Sequence, residues 1–86
     1  MPTYELRLTT RASDDVNKLT PQLRDRVEDR IEALATDPRP HGALKLAGRD
    51  EWRVRVGDYR VIYAVDDRAQ LVEVRRVRRR GVAYHR

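Results

Sequence analysis

The segment that decides the fold is Trp52-Arg53-Val54-Arg55-Val56-Gly57-Asp58-Tyr59-Arg60-Val61-Ile62-Tyr63. Apolar and basic side chains alternate on both sides of Gly57-Asp58, and a two-residue turn with glycine is typical of a tight β-hairpin. One face of this hairpin is predicted to be apolar and to contain Trp52, Val54, Val56, Tyr59, Val61 and Tyr63. Arg53, Arg55 and Arg60 project from the other face. Because like charges across a strand pair destabilise it, we predict that this second face binds a polyanion.

Length and composition limit the fold and the chemistry. The 86 residues predict one domain, residues 1–86, with a single core. The absence of cysteine excludes disulfides, thiolate metal sites and cysteine nucleophiles. The first residues lack the layout of a signal peptide, and no apolar run has membrane-spanning length. We therefore expect a cytoplasmic protein with no membrane partner.

The net charge of +5 is concentrated in the second half of the chain. Residues 1–44 carry 7 basic and 8 acidic side chains, whereas residues 45–86 carry 12 basic and 6 acidic ones. A preference for arginine over lysine can reflect codon usage, but codon usage does not explain where the charge lies. Charge polarised in this way is typical of a nucleic-acid-binding domain.

Helical spacing and capping residues predict two helices before the hairpin. Thr9 or Thr10 caps the first helix, and Thr20-Pro21 begins the second. Their apolar stripes are Ala12, Val16 and Leu19, followed by Leu23, Val27, Ile31 and Leu34. Strand patterns cover residues 4–8 and 70–77 in addition to the hairpin, and residues 44–48 are a short strand or a strand lead-in. The fold class is therefore α+β in the order β-α-α-β-β-β, with a two-helix hairpin packed on one face of a mostly antiparallel sheet.

The register of the last strand decides which arginines share a face. A turn at residues 66–69 places Tyr63 opposite Val72 and Arg60 opposite Arg75. Arg75 would then extend the basic face. Val72 and Val74 would join the core in that register, which a β-bulge would change.

Arginine and tyrosine are the chemistry-bearing residues that remain after elimination. The four glycines form no phosphate-binding loop, and the two histidines lack metal-ligand spacing. The acidic pairs Asp14-Asp15 and Asp66-Asp67 suit a helix start and a turn. A phenol pKa near 10 is too high for a base at neutral pH, but neighbouring arginines would lower it. Tyr84 is therefore either a general base or a residue that packs the C-terminus onto the core.

Three blocks of the sequence resemble the RelE branch of the RelE/ParE toxin superfamily. They are Leu46-x-Gly48, the hairpin from Trp52 to Tyr63, and Val77-Arg78-Arg79-Arg80-Gly81-Val82-Ala83-Tyr84. The helix end Leu34-Ala35-x-Asp37-Pro38 fits as well. The resemblance implies a ribosome-dependent endoribonuclease that cuts mRNA and is neutralised by a cognate antitoxin.

The resemblance also implies roles for individual residues. Arg53, Arg55 and Arg60 would form a clamp on the scissile phosphate, Arg80 would lie near the leaving group, and Tyr84 would be the base. The surrounding basic residues are predicted to bind RNA; they are Lys45, Arg75, Arg78 and Arg79. The reaction needs no metal or small-molecule cofactor. The partners are an antitoxin, the ribosome and mRNA.

This chain departs from the family pattern at several positions. Arginine replaces the lysine that is common at Arg53 and Arg55, and Arg78-Arg79 replaces a Gly-His or Gly-Lys pair. Arginine is a poor proton donor because its pKa exceeds about 12, so the general acid is unassigned. Two alternatives therefore stay open: a ParE-like toxin that inhibits DNA gyrase without being a nuclease, and a toxin-like protein that has lost its toxicity.

Overall fold

The computed structural model describes residues 3–48 and 50–81 and shows two helices packed on one face of a five-stranded sheet. The strand order is β1-β5-β4-β3-β2, and only the β1–β5 pair is parallel. The predicted α+β class is confirmed; the structure has one strand more than the predicted order, because Leu44–Lys45 forms a separate two-residue strand, β2. The elements are β1 (Glu5–Leu8), α1 (Thr10–Asn17), α2 (Pro21–Ala33), β2 (Leu44–Lys45), β3 (Trp52–Val56), β4 (Tyr59–Asp66) and β5 (Leu71–Arg79).

Both helices begin where the sequence predicts. The Thr9 side chain accepts a hydrogen bond from the Ala12 N–H at 3.1 Å, so Thr9 is the N-cap of α1. α2 begins at Pro21, directly after Thr20. Within the described part of the chain, neither helix is long and apolar enough to span a membrane. The buried residues of the helices and of the positions just after them belong to the same core cluster as the buried strand residues; they are Ala12, Val16, Leu19, Val27, Ile31 and Leu34.

Tyr63 anchors the long loop after α2 to the centre of the sheet. Its side chain is fully buried, and its hydroxyl donates a 2.6 Å hydrogen bond to the carbonyl oxygen of Pro38. Burial raises the pKa of Tyr63 to about 12, so the phenol stays protonated and continues to donate. The predicted packing role of this tyrosine is confirmed.

The β3–β4 hairpin has the predicted register. Arg55 pairs with Arg60, Val54 with Val61, and Val56 with Tyr59. Gly57 has a φ of 57°, which glycine adopts without the strain that a side chain would add. The chain therefore reverses at Gly57-Asp58, and the alternation of faces follows from that reversal.

The predicted register of β4 against β5 is wrong. Val65 pairs with Val72 and Tyr63 with Val74, and a β-bulge then shifts the register so that Arg60 pairs with Arg78. The turn lies one residue later than predicted and ends at Gln70, whose φ of 51° is left-handed. A shift of two positions keeps Val72 and Val74 in the core, as predicted. The shift moves Arg75 away from Arg60, and the bulge adds a residue, which places Arg78 opposite Arg60.

Candidate nucleic-acid interface

The sheet face that points away from the helices, here called the open face, carries a row of three arginines. Arg55 on β3 pairs with Arg60 on β4, and Arg60 pairs with Arg78 on β5. Because residues paired across strands share a face, the three guanidinium groups project from the same side of the sheet. We call Arg55, Arg60 and Arg78 the arginine rung. It lies at the end of the sheet next to the Gly57-Asp58 turn.

The next rung along the open face combines two arginines with an apolar residue. Ile62 pairs with Arg53 on β3 and with Arg76 on β5. Ile62 is only 3% exposed, although it lies outside the cluster of core residues on the helix side. Arginine stems cover apolar surface while their charged ends stay in water, and this arrangement fits the burial of Ile62. Arg53 thus lies beside the arginine rung, as the hairpin predicted.

Four arginines of this end have no ion-pair partner in residues 3–48 and 50–81, although the Asp15 carboxylate lies close enough to Arg78 to interact with its charge. Arg53, Arg55, Arg60 and Arg78 make no hydrogen bond or ion pair with any side chain there. The Nε of Arg60 is buried and has no hydrogen-bond acceptor. An unsatisfied buried donor and like charges across a ladder both cost stability. The arrangement is suited to an anionic ligand whose oxygens would accept from these groups.

Arg75 lies on the same face but is bound by two carboxylates. Its Nη1 donates to Glu51 Oε2 at 2.8 Å, and its Nε donates to Glu73 Oε1 at 3.0 Å. The hydrogen bond to Glu51 is the main cause that raises the pKa of the Arg75 guanidinium. The Glu51 side chain is only 4% exposed. We call Glu51, Glu73 and Arg75 the carboxylate cluster.

Asp15 of α1 was predicted to serve a helix start, but it anchors β5. Its Oδ2 accepts from Val77 N–H and from Arg76 Nε, both at 2.9 Å, and its Oδ1 accepts from Arg76 Nη2 at 3.2 Å. Burial raises the pKa of Asp15, but the hydrogen bonds from Arg76 and Val77 and the nearby Arg78 charge outweigh burial and lower it. β1 ends opposite Val74, so Asp15 binds a strand edge that β1 does not reach.

Asp15 binds β5 after the β-bulge, and Thr9 binds β5 before it. Its N–H donates to the Val74 carbonyl oxygen, and its hydroxyl donates to the Arg75 carbonyl oxygen, both at 2.9 Å. The first turns of α1 therefore bind β5 on both sides of the irregularity. One sequence signal marks it, because the apolar spacing is two from Val72 to Val74 and three from Val74 to Val77.

The other predicted site residues are not all on the open face. Lys45 pairs with Trp52 and Arg79 pairs with Tyr59, so both lie on the helix side of the sheet. Arg80 follows β5, and its N–H donates to the carbonyl oxygen of Asp58 in the hairpin turn. The backbone of Arg80 is therefore close to the arginine rung. Tyr84 lies outside the described residues, and its predicted role stays a prediction.

The sequence model described as "ParE toxin of type II toxin-antitoxin system, parDE" matches residues 6–84. This chain belongs to the RelE/ParE toxin superfamily. It is 34% identical to the protein named "Putative toxin RelE1" from Methanocaldococcus jannaschii, over 94% of each chain. The predicted resemblance is thereby confirmed, and the protein is a toxin of a type II toxin–antitoxin system.

Solved structures of RelE proteins share the fold of this toxin. The toxin in the RelBE2 toxin–antitoxin complex from Mycobacterium tuberculosis is 29% identical, with a TM-score of 0.80 over 95% of this chain and 97% of that one. The toxin in the intact Escherichia coli RelBE complex is 26% identical, with a TM-score of 0.79 over 92% and 99%. The toxin in the RelE–RelB complex from Pyrococcus horikoshii is also 26% identical, with a TM-score of 0.80 over 94% and 99%.

Proposed function

We propose that this toxin is a ribosome-dependent endoribonuclease that cleaves mRNA and thereby inhibits translation. The observation that carries the proposal is the arginine rung, three cationic side chains in register on an open sheet face. They form no ion pair among the described residues, and one of their donors is buried without an acceptor. Phosphate oxygens supply the acceptors that this rung lacks. The similarity to RelE toxins supports the same reaction class.

The chemistry requires charge stabilisation and proton transfer at one phosphate. The ribose 2′-oxygen forms a bond to the adjacent phosphorus, and the bond from phosphorus to the 5′-oxygen breaks, leaving a 2′,3′-cyclic phosphate. Arg53, Arg55 and Arg60 would stabilise the negative charge that builds on the phosphate oxygens. Tyr84 would accept the proton of the 2′-hydroxyl, with its pKa lowered by arginines. The group that protonates the leaving 5′-oxygen is unassigned, and Arg80 would lie beside it.

A cognate antitoxin is part of this proposal. Three of the structural relatives described above are complexes of a RelE toxin with its antitoxin. The open face of this toxin is strongly basic at one end, so an acidic segment of an antitoxin would complement it. An antitoxin bound there would block RNA from the arginine rung.

The test is mRNA cleavage on purified ribosomes. A ribosome programmed with a defined mRNA is mixed with the toxin, and the 5′ ends of the products are mapped by primer extension. Unmodified toxin should cut the message in the decoding site, and Arg60→Ala and Tyr84→Phe should each abolish most of the cleavage. Arg68→Ala removes the same charge as Arg60→Ala from an exposed turn at the far end of β4, and it should cut normally. Intact message with unmodified toxin would disprove the proposal.

Inhibition of DNA gyrase is the second candidate function. The matching sequence model is described as a ParE toxin, and we predicted a ParE-like inhibitor as the alternative from the sequence. A supercoiling assay with purified gyrase separates the two functions. Inhibition by unmodified toxin that persists in Tyr84→Phe, together with intact mRNA in the ribosome assay, would establish this alternative.

A further inference from the structure

The charge of the open face changes sign along the strands. The arginine rung is followed by the rung of Arg53, Ile62 and Arg76, and then by Ala64 paired with Glu73. The last rung pairs Asp66 with Leu71, and Leu71 with Glu5 of β1. Arg7 lies opposite Glu73 but is bound to Glu5 at 3.6 Å. Among the described residues, the face therefore runs from three cations without an ion-pair partner to a region in which Arg7 and Arg75 are each bound to a carboxylate.

A shallow cleft at the end of the open face that is far from the arginine rung is rich in carboxylates. It is lined by four carboxylates, two arginines and three apolar residues. The carboxylates belong to Asp50, Asp66, Asp67 and Glu73. One of the two arginines is Arg75, which Glu51 and Glu73 bind. The potential in this cleft is therefore not attractive to a phosphate.

The spacing of residues in a sheet determines which path of a bound polyanion stays in the cationic region. Successive rungs on one face are about 7 Å apart along a strand, whereas neighbouring strands are about 4.8 Å apart. A polyanion that followed β4 would leave the cationic region after two rungs and meet Glu73. A polyanion that crossed β3, β4 and β5 would stay on the arginine rung over about 10 Å.

We propose that RNA crosses the strands along the arginine rung, and that the carboxylate cluster of Glu51, Glu73 and Arg75 forms the boundary of its path. This inference rests on the proposed function and adds the orientation and the extent of the RNA on the open face. Glu73 is the more exposed of the two boundary carboxylates, because its side chain is 31% exposed and that of Glu51 is 4% exposed. Glu73 also binds Arg75, which is thereby withheld from the RNA.

The boundary can be tested with RNA that cannot be cleaved. The probe is a fluorescent 2′-O-methyl oligouridine of 2 to 12 nucleotides, because it lacks the attacking 2′-hydroxyl. Anisotropy at several salt concentrations gives the affinity and its salt dependence. For a single strand, the slope of log K against log salt is about −0.7 for each phosphate contact. Unmodified toxin should show a slope near −2 to −3 for Arg53 and the three arginines of the arginine rung, because Arg76 is bound to Asp15, and an affinity that stops rising within a few nucleotides.

Glu73→Lys should extend the path. It reverses the charge of the boundary and releases Arg75, so the slope should become steeper by about 0.7 to 1.4 and longer oligonucleotides should bind more tightly. Glu73→Gln should give a smaller change in the same direction. The control Glu28→Lys makes the same change of net charge on an exposed position of α2, on the helix side, and should leave the slope and the length dependence unchanged. Thermal unfolding of each variant monitors the fold.

The outcomes separate the inference from the proposed function. Equal effects of Glu73→Lys and Glu28→Lys would overturn the boundary, because net charge alone would then explain them, while the proposed nuclease could still stand. An affinity of unmodified toxin that keeps rising to 12 nucleotides would also overturn it. RNA binding that is unaffected by Arg60→Ala would contradict both, because the open face would then not be the RNA surface.

Discussion

The two ends of the open face use the same residue type in opposite ways. At the hairpin end, Arg55, Arg60 and Arg78 stand in register, and no side chain within residues 3–48 and 50–81 accepts a hydrogen bond from them. At the other end, Arg75 is bound by Glu51 and Glu73. The first arrangement costs stability and is available to a ligand, whereas the second stabilises the sheet and is withheld from one. Arginine content therefore does not measure the binding surface; strand register and nearby carboxylates decide which arginines can act.

The largest expected effect is on activity at the hairpin end. Arg60→Ala removes the central cation of the arginine rung and should reduce mRNA cleavage by about 10²- to 10³-fold, as removal of one charge-stabilising donor does in other enzymes. Stability should be unchanged or should rise by about 0.5 kcal/mol, because a like-charge contact and an unsatisfied donor both disappear. Cleavage kinetics and urea unfolding of the same preparation measure the two effects. A folded variant with normal cleavage would contradict the role given to this end.

The next effect is on stability where α1 holds β5. Asp15→Ala breaks a pair whose side chains are only 13% and 15% exposed and frees the Val77 N–H, so it should destabilise the fold by about 3 kcal/mol. Hydrogen bonds lower the pKa of Asp15 despite its burial, so its contribution is present at neutral pH and is lost as pH falls below about 4. Urea unfolding at pH 7 and at pH 3 measures the free energy of unfolding at each pH. Its decrease from pH 7 to pH 3 should be smaller for Asp15→Ala than for the unmodified toxin. Equal losses would contradict this ionisation.

Arg75→Ala should reduce stability and leave cleavage nearly unchanged, which is the opposite of the effects expected for Arg60→Ala. It removes two hydrogen bonds to carboxylates, one of which is nearly inaccessible to solvent, and should destabilise the fold by about 2 kcal/mol. Cleavage by the folded variant should stay within about twofold of normal, since Arg75 lies outside the proposed RNA path. The two arginine variants form a matched pair in the same two assays. A large loss of cleavage with Arg75→Ala would remove the distinction between the two ends.

The smallest effect should come from the turn between β4 and β5. Gln70→Gly removes the backbone strain of a non-glycine residue with a left-handed φ. It should stabilise the fold by about 0.5 to 1 kcal/mol without changing cleavage. Thermal unfolding is the measurement, with Ala69→Gly as a control in which the neighbouring position has no left-handed φ. A destabilised Gln70→Gly variant would show that the side chain, not the backbone, matters at this turn.

The sequence predicted the hairpin better than the last strand for a physical reason. Gly57-Asp58 is a two-residue turn whose chemistry sets one register, so the faces of Arg53, Arg55 and Arg60 follow by alternation. The β4–β5 turn has no glycine, and its left-handed residue is Gln70, which carries no such signal. The bulge depends on bonds from Thr9 and Asp15, more than 60 positions earlier. The uneven spacing of Val72, Val74 and Val77 was the only local sign of it.

Strand pairing also decides the sheet face of basic residues whose orientation the sequence pattern does not give. Lys45 and Arg79 add to the basic charge of the second half, but strand pairing directs them to the helix side. Asp15 was read as helix-start chemistry because sequence shows its helix and not the strand edge that it meets. Composition located the basic half of the chain, and only the register located the basic face.

The parallel pairing of β1 with β5 has a consequence for synthesis in the cell. β1 is the first strand made and its partner is the last, so the sheet cannot close while β5 is still inside the ribosomal exit tunnel. The arginine rung needs β5 as well, because Arg78 completes it. A growing chain would therefore lack the assembled rung until β5 has been made and has left the tunnel. Folding would then proceed through a contact between distant segments, which is slow relative to local pairing. The arginine rung would thus be among the last parts of the sheet to assemble during synthesis.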